Sequence, residues 1–220
     1  MLSNEFPINR SVRQGCRLFP ILFNLFINDI LDGCDIYGVS IGNKRCCGGL
    51  FADDIVLIAP SARKLQRLLN HVLHWANINE MTFGTSKCAT MVIKPKNFKY
   101  TPSYVDPTFY FSMTSIPKVS CYTYLGIPFS EDLFLQPILS NMYNKVNRSL
   151  NSFKIFLMSN TIPIPFKKMV LQSFIISKVL YYALFLVQIK LERLEFKPWF
   201  TKKVCYGVLV LLQRTTSVKT

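Results

Sequence analysis

The spacing of apolar positions changes character several times along this chain. Between Leu18 and Leu31 it is helical, with Leu18, Ile21, Leu22, Leu25, Phe26 and Ile30 in register and Phe19, Phe23 and Ile27 covering much of the rest. A helix over about 18–31 follows, with Pro20 tolerated in its first turn, and a helix so widely apolar is expected to be buried. Around Leu50–Ala59 the pattern tightens to that of strands. Gly48-Gly49 leads into Phe51-Ala52-Asp53-Asp54, with apolar β-forming residues on both sides of the two acids. This predicts two short strands joined by a tight turn, both carboxylates at its tip. Ser61 then reads as the N-cap of an amphipathic helix. Leu65, Leu68, Leu69, Val72, Leu73 and Ala76 form its apolar stripe, while Arg63, Lys64, Arg67, Asn70, His71 and His74 take the other faces.

Beyond it, 88–94, 109–113 and 121–125 read as strands, the last ended by Gly126 and Pro128, and Pro95, Pro102 and Pro107 mark a loop. Helical spacing returns from Leu133 to about Ser159. Pro163 and Pro165 break it, and a second helix is expected from Phe166 to about Leu191. Within that helix, Val170–Ile189 is long enough to span a bilayer. Lys178 lies near its centre, however, at a cost of about 2.5–3.5 kcal/mol for insertion, and Gln172 and Gln188 add to it. The segment therefore reads as a buried helix of a soluble domain and not as a membrane span. The class is α+β, with strands and helices to about residue 130 and a helical region over 131–220.

Charge narrows the partners. Of 220 residues, 26 are Lys or Arg and 12 are Asp or Glu, a formal balance of +14 that favours a polyanion, most simply nucleic acid. The distribution says more. Five of the 12 acids fall between Asp29 and Asp54, whereas Leu133–Leu191 holds none against seven bases, among them Lys145, Arg148, Lys154, Lys167, Lys168 and Lys178. A focused acidic point in a basic chain suits metal-assisted chemistry on a phosphate polymer. Seven cysteines without CxxC spacing give neither a zinc site nor a disulfide framework. The compartment is expected to be intracellular, nucleus or cytoplasm, and the N-terminus carries no signal-peptide pattern.

The candidate chemistry rests on Asp53 and Asp54. Neighbouring like charges each disfavour the other's ionisation. A divalent cation removes the conflict, because hard oxygen ligands suit Mg²⁺. Read without context, an adjacent Asp-Asp pair is far more often a solvated turn than a metal site.

The context is a resemblance. Ser11–Ile30 (SVRQGCRLFPILFNLFINDI), followed by FADD and an amphipathic helix, resembles the palm of a reverse transcriptase of the non-LTR (LINE-type) retrotransposon group. Glu80–Ile93 (EMTFGTSKCATMVI) resembles the next motif of that family, and Tyr122–Phe129 (YTYLGIPF) its primer-grip hairpin. Four motifs in family order cover about residues 7–130. The resemblance implies a partial palm of antiparallel strands backed by helices, then a helical thumb. It implies RNA-directed DNA polymerase activity with Mg²⁺ (Mn²⁺ as a substitute), an RNA template, a DNA primer and dNTPs. It makes Asp53 and Asp54 metal ligands, with Phe51-Ala52 packing beneath the primer end. Gln14-Gly15 would line the nucleotide and template pocket, Lys87 would approach the triphosphate, and Tyr124-Leu125-Gly126 would belong to the primer grip.

The chain departs from the family where motif B has Arg17 and Phe19 for the usual Pro and Ser, and where Gly84 replaces an Asn. The family's third catalytic aspartate lies on a strand well upstream of the Gln-Gly loop, and the first aspartate here is Asp29. The expectation is therefore an N-terminally truncated domain, inactive on its own. Two other readings stay open: a non-catalytic basic domain that binds nucleic acid, and a small membrane-associated protein.

Overall fold

The computed structural model describes residues 15, 17–94, 105–183, 186 and, for the backbone alone, 205–213. The α+β class is borne out. Two compact units are cut differently from the 1–130 and 131–220 division. Cys205–Gln213 returns to the first unit, and the Cys121–Ser130 hairpin belongs to the second.

In the first unit α1 is Phe19–Ile27, with Pro20 in its first turn, and it stops four residues before the predicted end. Asn28–Gly33 forms turns instead, and Gly33, in the left-handed region at φ +73°, starts a 3₁₀ turn over Cys34–Tyr37. The expected burial of α1 is not seen. Of its helical residues Ile27 is buried, while Leu25 is 68% exposed and Ile21 58% exposed. The described elements cover one side of the helix, where the Trp75 indole N–H donates to Asp29 Oδ1 at 2.9 Å and the Phe26 ring meets Trp75 edge-on at 5.6 Å.

Strands β1 (Val39–Ile41) and β2 (Lys44–Cys46) form a small hairpin about Gly42, missed in the sequence. β3 (Gly48–Phe51) and β4 (Asp54–Ala59) follow, and β4 alternates buried and half-buried residues. The Ser61 side chain accepts from the Lys64 N–H and caps α2 (Ala62–Ile78), which buries Leu65, Leu68, Leu69, Val72, Trp75 and Ala76 as the stripe predicts. With Ile55, Leu57 and Ala59 of β4 these residues make the core of the unit. Burial pushes the Cys47 thiol up to about 12, so it packs as a neutral side chain.

β5 (Thr82–Phe83) and a 3₁₀ turn, Thr85–Lys87, lead to β6 (Ala89–Ile93). The expected strand at 109–113 is a hairpin, β7 (Phe109–Phe111) with β8 (Thr114–Ile116). The sheet runs β3-β4-β11-β5, where β11 is Cys205–Gln213. This strand corrects the expectation that 131–220 is helical throughout. It pairs antiparallel with β4 from Tyr206 opposite Ala59 to Leu211 opposite Asp54. A run of β-branched and aliphatic residues from a distant segment satisfies the backbone edge of β4, a non-local pairing that periodicity does not reveal.

In the second unit β9 (Cys121–Tyr124) and β10 (Ile127–Ser130) form a hairpin. α3 is Gln136–Met158. α4 begins at Ile164 with Pro165 in its first turn, then passes through a π-helical stretch, Leu171–Ile176, into helical residues 177–183. The expected end of this helix near Leu191 lies outside the described residues. Its expected burial is corrected: Ile175 and Tyr182 are buried, whereas Phe166, Met169, Phe174, Ile176, Leu180 and Tyr181 are exposed. Among the described residues no helix is long and apolar enough to cross a membrane.

Candidate functional site

The two carboxylates are positioned by hairpin geometry. β3 and β4 pair in register from Gly48 opposite Leu57 to Phe51 opposite Asp54, which leaves Ala52 and Asp53 as a two-residue turn. Such turns need a left-handed backbone to match the strand twist, and Ala52 supplies it at φ +51°. For a residue with a Cβ that conformation costs roughly 1–2 kcal/mol, and strain of this kind gathers at functional turns. Gly48 makes the hairpin possible, since a Cβ there would stand 2.0 Å from the Val56 carbonyl oxygen.

The acids differ in surroundings. Asp53 is exposed at the tip, while Asp54, the first residue of β4, is half-buried. Burial raises the Asp54 pKa above its ordinary value, the charge of Asp53 raises it further, and the charge of Lys87 pulls it back. Lys87, exposed at the end of the Thr85–Lys87 turn, thus acts electrostatically on the carboxylate pair. Two hard oxygen donors on one turn fit a single divalent cation completed by water. Among the described residues no group of three or more His, Cys, Asp or Glu side chains could hold a metal.

Beside the turn lies a groove of about 390 Å³, lined by Pro20, Phe23, Asn24, Ile27 and Asn28 of the α1 region and by Leu50, Phe51 and Ala52. Phe51 and Ala52 are therefore an exposed rim to this groove and do not pack inward. Asn24 and Asn28 were missed, although they sit one helical turn apart amid apolar neighbours. Gln14 lies outside the described residues. Gly15, at φ +87°, has nothing within 4 Å of the position a Cβ would take. Tyr124, Leu125 and Gly126 belong to the second unit, where Leu125 and Gly126 form the turn of the β9–β10 hairpin at φ +49° and +77°.

The family described as reverse transcriptase (RNA-dependent DNA polymerase) matches residues 2–129. The chain belongs to that family. It is also 34% identical, over 132 residues, to the "Retrovirus-related Pol polyprotein from type-2 retrotransposable element R2DM" of Drosophila melanogaster. That match covers 58% of this chain and 12% of the relative. The resemblance to a non-LTR reverse transcriptase domain is thereby borne out, and the reading as a non-catalytic binding domain is not favoured. Enzymes of this family are generally dependent on a divalent metal and work with RNA templates and nucleotides.

Proposed function

We propose that this chain provides the carboxylate turn and a duplex-binding surface of an RNA-directed DNA polymerase. The observation that carries the reading is the tip of the β3–β4 hairpin, where Asp53 and Asp54 stand together within the electrostatic reach of Lys87. Asp53 and Asp54 would hold Mg²⁺, with Mn²⁺ as a substitute. When bound, the cation offsets their charge and stabilises negative charge during phosphoryl transfer. Lys87 faces the nucleotide phosphates, and Gln14-Gly15 with the groove beside Phe51-Ala52 takes the nucleotide and primer end. The β9–β10 hairpin, with Tyr124, Leu125 and Gly126, contacts the primer strand. Exposed Arg148, Lys154 and Lys168 supply phosphate contacts for an RNA–DNA duplex. An intracellular setting, nucleus or cytoplasm, goes with this reading.

Two-metal catalysis holds its ions about 3.5–4 Å apart and draws carboxylates from more than one strand. The described residues bring two carboxylates together on one turn, so the isolated chain is expected to bind without extending a primer. The test combines three measurements. Mn²⁺ binding followed by electron paramagnetic resonance should be abolished by Asp53→Ala. Duplex affinity should fall steeply with salt, log K against log salt having a slope of about −0.9 per phosphate contact. Primer extension on an RNA template should be absent in Mg²⁺ and in Mn²⁺. Mn²⁺ binding unchanged by Asp53→Ala, or affinity indifferent to salt, would overturn the reading. Extension that depended on Asp53 would show that the chain completes its own site.

A further inference from the structure

Five bases of the first unit gather at the end of its sheet away from the carboxylate turn. β4 runs from Asp54 to Ala59, about 17–20 Å at roughly 3.3 Å per residue, and α2 starts just beyond its far end. The 3₁₀ turn Cys34–Tyr37 packs against the first turns of α2. There the Lys64 ammonium donates to the Ile36 carbonyl at 3.4 Å, and the Arg67 guanidinium stands 5.8 Å from the centre of the Tyr37 ring. The chain then passes into the β1–β2 hairpin, which closes on Gly38, since a Cβ there would meet the Cys46 carbonyl oxygen at 2.4 Å. Arg45 pairs opposite Ser40 and Lys44 opposite Ile41, and β2 leads into the end of β3 where Gly48 faces Leu57. Lys44, Arg45, Arg63, Lys64 and Arg67 thus surround one turn, and all but the half-buried Lys64 are exposed.

Among the described residues none of these five is held in an ion pair, and the acids nearby are two, the exposed Asp32 and Asp35. A cluster of like charge weakens the compact state by self-repulsion and sets up a positive potential that draws polyanions. Apolar groups are interleaved with the charges. Ile36 is 57% exposed, Ile41 is 40% exposed, and the Tyr37 ring has the Arg67 guanidinium over it. A guanidinium so placed extends an aromatic platform and keeps its N–H groups for phosphate oxygens. Cations among exposed apolar and aromatic groups suit a single strand, whose unstacked bases offer their faces as its phosphates offer charge. A duplex buries those faces in its own stack and would leave the two isoleucines in water.

We propose that this cluster is a second nucleic-acid surface, one that tethers a single strand at a distance from the carboxylate turn. Lys44, Arg45, Arg63, Lys64 and Arg67 contact phosphates, and Ile36 and Ile41 lie against bases. A phosphate held there is out of reach of Asp53 and Asp54 at the other end of β4, so the surface takes no part in the chemistry. What a tether supplies is effective concentration, because a strand held at one surface meets the chain's other surface as if it were intramolecular. The inference stands on the charges of the first unit. It does not rest on the polymerase reading, whose duplex contacts Arg148, Lys154 and Lys168 belong to the second unit.

The test uses the full chain and fluorescence anisotropy with oligo(U) and oligo(dT) of about 20 nucleotides and with an RNA–DNA duplex. The triple variant Lys44→Gln, Arg45→Gln, Arg63→Gln changes exposed side chains alone. Its affinity for oligo(U) should fall about tenfold or more, and its slope of log K against log salt should flatten by about 2, at about 0.7 per lost contact. Its duplex affinity should stay within about twofold of the wild type, since those contacts lie elsewhere. Lys44→Gln with Arg45→Gln, confined to the surface hairpin, should flatten the slope by about 1.4 and serves should the triple variant fail to fold. Ile36→Ser should weaken oligo(U) by about threefold or more at an unchanged slope, because a base contact releases no counterion. Oligo(dT) should match oligo(U) within about threefold, since phosphates and base faces are common to both. Oligo(U) affinity unchanged in the hairpin variant, or single strand and duplex lost together, would overturn the proposal. An Ile36→Ser chain indistinguishable from the wild type would overturn the base contact. Binding to phosphatidylserine vesicles that the triple variant abolished, with no oligo(U) bound, would make the cluster a lipid-facing patch and overturn the proposal too. A chain that bound oligo(U) as described and no duplex would remove the polymerase reading and leave the tether standing.

Discussion

Gly48 and Gly49 are adjacent in one strand, and their replacement by alanine should have opposite outcomes. A Cβ on Gly48 would stand 2.0 Å from the Val56 carbonyl oxygen, 3.1 Å from its carbon and 3.2 Å from Leu57 Cα. All three are main-chain atoms of β4, so no side chain can rotate away. The strands would have to part by on the order of 1 Å, beyond the reach of good ladder hydrogen bonds. Forcing an extra carbon into a packed site costs roughly 1–3 kcal/mol, and each weakened ladder bond adds about 0.5–1.5 kcal/mol. A loss of about 2–4 kcal/mol follows. At about 2–4 °C per kcal/mol for a chain of this size, Gly48→Ala should melt some 5–15 °C lower. Gly49 has nothing within 4 Å of its Cβ position, and Gly49→Ala should be neutral or gain up to about 1 kcal/mol through the unfolded state. Thermal unfolding of both variants checks the pair. Amide exchange at Ile58, whose N–H donates to the Cys47 carbonyl at 2.8 Å, localises the damage to the hairpin. A Gly48→Ala variant that melted with the wild type would refute the close approach on which the placement of Asp53 and Asp54 depends.

The raised pKa of Asp54 means that folding favours its protonated form, so the charge destabilises the fold above the folded pKa and relief comes as pH falls toward 3.8. Asp54→Asn should therefore be more stable than the wild type at neutral pH, with an advantage that shrinks as pH falls through that window in thermal melts. Saturating Mg²⁺ should stabilise the wild type and not Asp54→Asn, because a ligand raises stability only where it binds the folded state. Ser61→Ala removes the acceptor for the Lys64 N–H and should cost about 1 kcal/mol by denaturant titration, with no change in Mn²⁺ binding.

What the sequence revealed and what it hid follow from the range of the interactions. The Asp53-Asp54 turn was legible because strand, turn and strand lie within a dozen residues, and α2 because its stripe and its Ser61 cap are local. The exposure of α1 and α4 was not, since apolar spacing reports what a helix offers and not what covers it. β11 pairs with β4 across roughly 150 positions, and no period in either segment records that. The positive charge of 133–191 was legible as a sum. Lys145 and Lys178, however, turn inward to the Gly126 carbonyl and to Ser149, so the surface they were expected to furnish is smaller. The groove residues Asn24 and Asn28 were hidden by the apolar run around them.

The return of β11 to β4 also sets a clock on biosynthesis. β4 leaves the ribosome long before Cys205–Gln213 is made, and the second unit is translated between them. At about 5–20 residues per second, the free edge of Asp-Ile-Val-Leu-Ile-Ala waits roughly 7–30 s for its partner. An unpaired aliphatic strand is a template for pairing with other chains. Slower elongation lengthens that wait and should shift newly made protein from the soluble to the insoluble fraction, whatever the stability of the finished fold.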